Sequence, residues 1–346
     1  MQAVRYDAYG ATPALVEIPG PDCPADGVVV EVRATGVCRS DWHAWQGHDP
    51  VTLPRVPGHE FAGVVTEVGP QVSTRRVGER VTAPFVCGCG RCEWCAGGDA
   101  QVCPDQLQPG FTLPGSFAEL VAVPAADLNV VPLPDGLDFV TAASLGCRFA
   151  TSYRALTVHG RVRAGDWVAV HGCGGVGLSA VMIATALGAR VVAVDVSPPA
   201  LRLAGELGAE VLVEGGPDAV RRIVEATGGG AHVSLDAVGT SPTAVASVSS
   251  LRPRGRHVQV GLLLGEHATP PLPMGLVVAR ELEILGSHGM AASDYPAMLD
   301  LVASGALRPD LLVGAVIGLD EAGAALAAMS APATAAGVTV VRLGLA

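Results

Sequence analysis

The sequence contains no lysine: all 22 basic residues among its 346 positions are arginines, which excludes Schiff-base chemistry on a lysine amine. Net positive charge is missing too. The formal charge is -11 at pH 7, and nucleic-acid binding depends on clustered cations that displace counterions, so the expected partner is a small molecule and not a nucleic acid. The first twelve residues carry Arg5 and Asp7 and hold no apolar run of signal-peptide length, so a cytoplasmic location is expected. Fixed-period repeats and low-complexity linkers are absent. One stretch, Val168 to Ala189, is long enough to span a bilayer and has no side chain charged at neutral pH apart from a fraction of His171, but it contains the glycine cluster "HGCGGVGL", which has a better reading than a membrane span.

What is present fits a compact α/β protein of about two domains: 49% hydrophobic residues and 44 glycines. Residues before about 150 read as short β segments bounded by Gly or Pro, among them "GVVVEVRATGV", "GHEFAGVVTEVG", "GERVTAPFV" and "GSFAELVAVP". Beyond that point apolar strands alternate with alanine-rich helical stretches, the mark of βαβ units and a parallel sheet buried on both faces. The last 60 or so residues predict two amphipathic helices, in "DYPAMLDLVASGAL" and "LDEAGAALAAM", and a final strand in "GVTVVRLG".

Three motifs carry chemistry. Gly172, Gly174 and Gly177 stand in GxGxxG register after a predicted strand and at the start of a predicted helix that Gly188 can end. Asp195 closes the next strand, near the distance expected of a ribose-binding carboxylate. The glycines allow close approach of a pyrophosphate to the helix N-terminus. Asp195 favours NAD over NADP, since it accepts from a free 2'-hydroxyl and repels a 2'-phosphate, although it also suits a role in shaping the turn before a helix started by Ser197 and Pro198.

Cys89, Cys92, Cys95 and Cys103 form CxxCxxCx7C, a spacing suited to tetrahedral zinc held by four thiolates. Iron–sulfur ligation and a zinc ribbon are the rivals, and disulfides fit poorly in a reducing compartment. A four-thiolate site leaves no open position, so this zinc is structural. Cys38, His59 and Cys147 offer a second set with a vacant fourth position, as a catalytic zinc requires. Asp41, His43 and Glu60 lie beside them in sequence.

Taken together, "GVCRSDWH", "PGHEFAG", the cysteine loop, "GCRFATSYRAL", "GCGGVG" and Asp195 resemble the zinc-dependent medium-chain alcohol dehydrogenases over essentially the whole chain. The resemblance implies a Rossmann doubly wound parallel sheet domain, residues 149–285, inserted into a largely β, GroES-like catalytic domain, residues 1–148 and 286–346. It implies Cys38, His59 and Cys147 on the catalytic zinc, solvent or Glu60 in the remaining position, and Asp41 orienting His59. Ser40 matches the hydroxyl beside the substrate oxygen and His43 the outer end of a proton relay.

Arg39 matches a pyrophosphate contact. Thr151 and Val176 match residues near the nicotinamide, and Gly175 and Gly261 join the cofactor set. Phe85 matches a substrate-pocket aromatic, and Trp42 hints at an aromatic wall. The implied reaction is reversible hydride transfer between an alcohol and NAD, giving an aldehyde or ketone, with a homotetramer favoured on chain length. Ala200 and Val338 depart from the family's usual ribose-side lysine and phosphate-side arginine; Arg202 is a possible substitute for the first. An NAD-dependent polyol dehydrogenase is the nearest alternative, and a catalytically silent dinucleotide-binding protein the more distant one.

Overall fold

The computed structural model describes residues 1–331 and 336–344 and is organised by two large sheets. After a small antiparallel pair, β1 (Gln2–Arg5) and β2 (Ala14–Glu17), the valine-rich β3 (Val28–Val37) runs through the first sheet. It pairs antiparallel with β4 (Phe61–Val68) and β6 (Leu120–Val123), and β5 (Arg80–Thr82) and β7 (Val131–Pro132) extend the β4 side. Val30, Val32, Phe61 and Val121 feed one core, while Ala34 and Ala62 feed another.

The second sheet is wholly parallel. Its strands are β8 (Trp167–His171), β9 (Arg190–Asp195), β10 (Val211–Glu214), β11 (Ala231–Asp236), β12 (Leu251–Gln259) and β13 (Glu283–Gly286). They lie in the order β10-β9-β8-β11-β12-β13, so the winding reverses between β8 and β11. That switch opens a crevice at the carboxyl ends of the strands, where doubly wound sheets take their ligands. Val168, Val170, Val191 and Ala193 pack into one core and Trp167, Ala169, Val192 and Val194 into another, so both faces are covered. The uncharged stretch is therefore a strand, a glycine turn and a helix, and among the described residues no helix is long and apolar enough to cross a membrane.

The predicted late elements form as Tyr295–Ala303, Leu319–Ala328 and β15 (Val338–Arg342), with β14 (Val313–Ile317) between the two helices. β15 pairs antiparallel with β3, Val341 opposite Thr35, and parallel with β14. The end of the chain thus completes the sheet begun near its start.

A polar seam runs beneath the parallel sheet. Ser247 Oγ bonds Ser234 Oγ at 2.7 Å and His257 Nδ1 at 2.9 Å, and Ser250 Oγ lies 3.5 Å from His171 Nε2. His171 is 2% exposed, and burial, then the neighbouring His257, push its imidazole down to about 3. The unfolded chain, with an ordinary histidine pKa, takes up this proton first. The associated stability is therefore complete above about pH 6.5 and is lost as pH falls towards 3, at about 1.4 kcal/mol per pH unit for the one site. Denaturation measured from pH 7 to pH 4 should show this slope, and His171→Asn should reduce it.

Candidate active site

The first cluster is built where β3 ends. Cys38 follows it as the N-cap of α1 (Arg39–Gln46), and Asp41, at the third helical position, accepts the Cys38 backbone N–H at 3.3 Å. The same buried carboxylate accepts the Gly58 N–H at 2.9 Å and lies 2.9 Å from His59 Nδ1. Gly58 has φ +99°, a turn that suits glycine, and the chain then enters β4 through His59 and Glu60. Cys147 sits in a π-helical turn, Leu145–Phe149, a local widening that often marks functional positions.

Ligand atoms of Cys38, His59, Glu60 and Cys147 all lie within 4.8 Å of one another, and all four residues are buried. With Nδ1 fixed by Asp41, the remaining ring nitrogen of His59, Nε2, is buried without a protein partner. An orphaned imidazole nitrogen beside two sulfurs is a donor set matched to zinc. A hydrogen bond from Cys147 holds the Cys38 thiol well below its ordinary range and drives the Cys147 thiol well above it. A divalent cation held there would end that competition, taking both sulfurs as thiolates. Burial opposes charge on His59, yet Asp41 holds its imidazole well above the ordinary value.

Ligand atoms of Cys89, Cys92, Cys95 and Cys103 form a second group within 4.8 Å. The sulfurs of Cys92 and Cys103 stand 3.7 Å apart, beyond any disulfide bond, and all nine cysteines are free. Backbone N–H groups point at the sulfurs: Cys95 donates to Cys92 and Cys89 to Cys103, each at 3.4 Å. Asn129 clamps the loop by bonding both the N–H and the carbonyl of Gly88 at 2.9 Å.

The glycine motif joins β8 to α2 (Gly175–Ala186), which Gly188 follows in the left-handed region at φ +77°. A β-carbon on Gly177 would collide with the Gly172 carbonyl oxygen, whereas one on Gly174 would meet nothing within 4 Å. These two glycines therefore answer to different demands. Gly177→Ala should cost at least about 3 kcal/mol in denaturation experiments. Gly174→Ala should leave stability nearly unchanged and weaken dinucleotide binding, measured by titration. Asp195 accepts backbone N–H groups from Cys173 at 2.5 Å and Ser197 at 2.7 Å, so it shapes the turn as well as facing the crevice end of β9.

A cavity of about 540 Å³ lies where the cysteine loop meets the carboxyl ends of β12 and β13. Trp94, Gln101 and Arg154 line one side; Gln259, Gly261 and His288 line the other, at the carboxyl ends of β12 and β13. His288 packs edge-on to Phe85, ring centroids 5.2 Å apart, and Phe85 packs on His59 at 5.9 Å. Phe85 shares a packed cluster with Cys38 and Cys147.

Several expected residues have other partners. Trp42 is not on the cavity wall: its indole N–H bonds Ser330 Oγ at 2.9 Å, and Arg39, His43 and His48 occupy its ring. Arg39 Nη1 bonds the Met329 carbonyl at 2.5 Å. Glu60 gives both carboxylate oxygens to Arg148. Ser40 Oγ lies 3.8 Å from the Cys38 sulfur, Thr151 is buried, and Ser152 bonds the Val176 carbonyl. His43 Nδ1 lies 3.2 Å from His48 Nδ1. The sequence reading missed Arg148, His48, His288 and Phe111, the last 5.2 Å from the His59 ring. Only Arg148, next to a ligand cysteine, carried a local signal.

This combination of a doubly wound sheet, a β-rich partner sheet and two metal-ligand clusters defines a zinc-binding dehydrogenase. The chain matches the alcohol dehydrogenase GroES-like domain family over residues 24–135 and the zinc-binding dehydrogenase family over residues 175–304. It is 35% identical over 312 residues to an alcohol dehydrogenase of Geobacillus stearothermophilus, covering 89% of this chain and 90% of that one. An NAD-dependent alcohol dehydrogenase structure superposes with a TM-score of 0.90 at 31% identity, covering 99% of this chain and 100% of the other. A zinc-binding dehydrogenase of Sinorhizobium meliloti bound to NADP superposes at 0.87 with 30% identity, covering 99% and 98%. The chain belongs to the zinc-dependent medium-chain alcohol dehydrogenases.

Proposed function

We propose that Cys38, His59 and Cys147 hold a catalytic zinc, with solvent or Glu60 in the fourth position, and that Cys89, Cys92, Cys95 and Cys103 hold a structural one. The observation that carries this reading is the buried, unpartnered Nε2 of His59 beside two sulfurs and a carboxylate. When bound, zinc acts as a Lewis acid that makes an alcohol oxygen a stronger acid and polarises a carbonyl. NAD supplies the hydride acceptor in one direction and NADH the donor in the other. The cavity lined by His288 and the ends of β12 and β13 is joined to the metal-ligand cluster through Phe85, which packs on both His288 and His59, and this supports a small alcohol, aldehyde or ketone at that junction. A catalytic unit of residues 1–148 and 286–346, of which 332–335 and 345–346 lie outside the described residues, around a nucleotide unit of 149–285 belongs to the same reading.

The chain's own groups have distinct tasks. Asp41 fixes the His59 tautomer through Nδ1 and ties the cluster to the first turn of α1. Ser40 takes the proton at the substrate end, and His43 passes it towards solvent. Burial, then His48 and Arg39, push the His43 imidazole down to about 4, so it is a neutral acceptor at pH 7. His43→Ala should lower turnover about tenfold at pH 6 to 7 and much less at pH 9, where hydroxide can take the proton. A pH–rate profile checks this, and equal rates at neutral pH would remove His43 from the relay.

Asp195 supports NAD over NADP, because a 2'-phosphate would meet its carboxylate across a short distance. Catalytic efficiency with NAD should exceed that with NADP by at least about tenfold. The opposite order would overturn the assignment. A homotetramer, favoured on chain length, and a cytoplasmic location belong to the same reading, the first to be tested by sedimentation. Screening primary, secondary, aromatic and polyol alcohols against NAD tests the substrate class.

A further inference from the structure

The Glu60–Arg148 pair is wedged between two glycines from different parts of the fold. At Gly36, in β3, a β-carbon would collide with the Glu60 carboxylate and come within 2.8 Å of Arg148 Nη2. At Gly175, the first residue of α2, a β-carbon would collide with Arg148 Cδ and stand 3.2 Å from Nη1. Val338 closes the same corner, 3.2 Å from that Gly175 position. One guanidinium therefore reaches from the metal-side carboxylate to the first turn of the glycine-loop helix.

Its hydrogen bonds leave donors to spare. Arg148 Nε bonds Glu60 Oε1 at 2.9 Å, Nη2 bonds Glu60 Oε2, and Nη1 bonds the Val37 carbonyl at 3.2 Å. A guanidinium has five N–H groups, so one hydrogen on each Nη is left for another acceptor. The start of α2 has no side-chain cap, and its free N–H groups favour an anion. The sequence has no lysine to meet that anion, and Arg39 is turned to the Met329 carbonyl.

We propose that Arg148 is the cation that receives the dinucleotide pyrophosphate at the start of α2. Because the same guanidinium holds Glu60, phosphate binding and the metal site are energetically linked. The inference rests on the dinucleotide reading of the glycine motif. Linkage is reciprocal: if ADP-ribose changes the hold on the metal, the metal changes the affinity for ADP-ribose by the same factor. The arrangement gives Arg148 a positioning role towards Glu60 and a binding role towards phosphate.

The test uses zinc-loaded enzyme and two probes, ADP-ribose and adenosine, titrated by calorimetry. The variant is Glu60→Gln with Arg148→Gln, which removes both buried charges together and so leaves neither stranded. ADP-ribose affinity should fall at least about tenfold, adenosine affinity should hold within about twofold, and the salt dependence for ADP-ribose should flatten. In the wild type, saturating ADP-ribose should alter zinc release to a chelator at least about threefold, and in the double variant it should not.

Wild-type ADP-ribose affinity in the double variant overturns the phosphate role, and a wild type whose zinc release ignores ADP-ribose overturns the linkage. If the double variant does not fold, Arg148→Lys is read instead, since lysine keeps the charge but cannot span both partners. It should weaken ADP-ribose at least about threefold with adenosine unchanged, and unchanged ADP-ribose affinity again overturns the proposal. A wild type that binds no ADP-ribose fails the dinucleotide reading itself, a different result from any of these.

Discussion

Replacing Cys147 with alanine is expected to cut alcohol-dependent NAD reduction by at least about a thousandfold, equivalent to about 4 kcal/mol of transition-state stabilisation. The fold should survive. Cys147 is a small buried residue in a π-helical turn, and the change removes one sulfur without disturbing the Asp41 contacts that hold His59 and Cys38. Zinc per subunit should fall by one equivalent, measured by elemental analysis of unchelated protein, while the four-cysteine group keeps its metal. Full turnover in this variant would falsify the catalytic-zinc assignment. Loss of both metals would instead mean that the two clusters are not independent.

Cys103→Ser should produce the largest loss of stability. The segment from Gly88 to Cys103 has only a four-residue helix, Glu93–Ala96, and a single 3-10 turn, Ala100–Val102, to give it regular structure. Buried Cys95, Ala100 and Cys103 form a small cluster centred on the sulfurs themselves. Structural zinc contributes about 10–16 kcal/mol of apparent binding free energy in small zinc domains, so even a fraction of that is large here. The melting temperature should drop by about 10 °C or more, and the loop should become the first site of proteolysis. Because Gln101 and Trp94 line the cavity, kcat/KM should fall as well, through a raised KM. An unchanged melting temperature would show that Asn129 and the neighbouring backbone hold the loop without metal.

How much of this could be read in the sequence follows from how local each feature is. The glycine spacing was legible because Gly172, Gly174 and Gly177 act within one strand–turn–helix unit, and Gly177 is required by Gly172 five positions away. The four-cysteine loop was legible for the same reason. Cys38, His59 and Cys147 are far apart in the chain, and only their residue types and the resemblance linked them before the fold did. Arg148 shows the limit: beside Cys147 it looks like one more charge in a helical run. Its meaning lies in Glu60, 88 positions earlier, and in Gly175, whose missing side chain makes room for it. Trp42 shows the same limit, since its partner Ser330 is contributed by a remote segment.

The pairing of β15 with β3 has a consequence for synthesis. β3 carries Cys38 at its end, and β4 and β6 flank it early, but the partner of its Ala34–Val37 half, β15, is translated only after the whole parallel sheet. The parallel sheet, by contrast, is complete once residue 286 has left the ribosome. A nascent chain therefore holds a finished nucleotide-binding unit while the half of β3 that leads to Cys38 lacks one neighbour, so ribosome-bound intermediates should expose that edge to chaperones until β15 emerges.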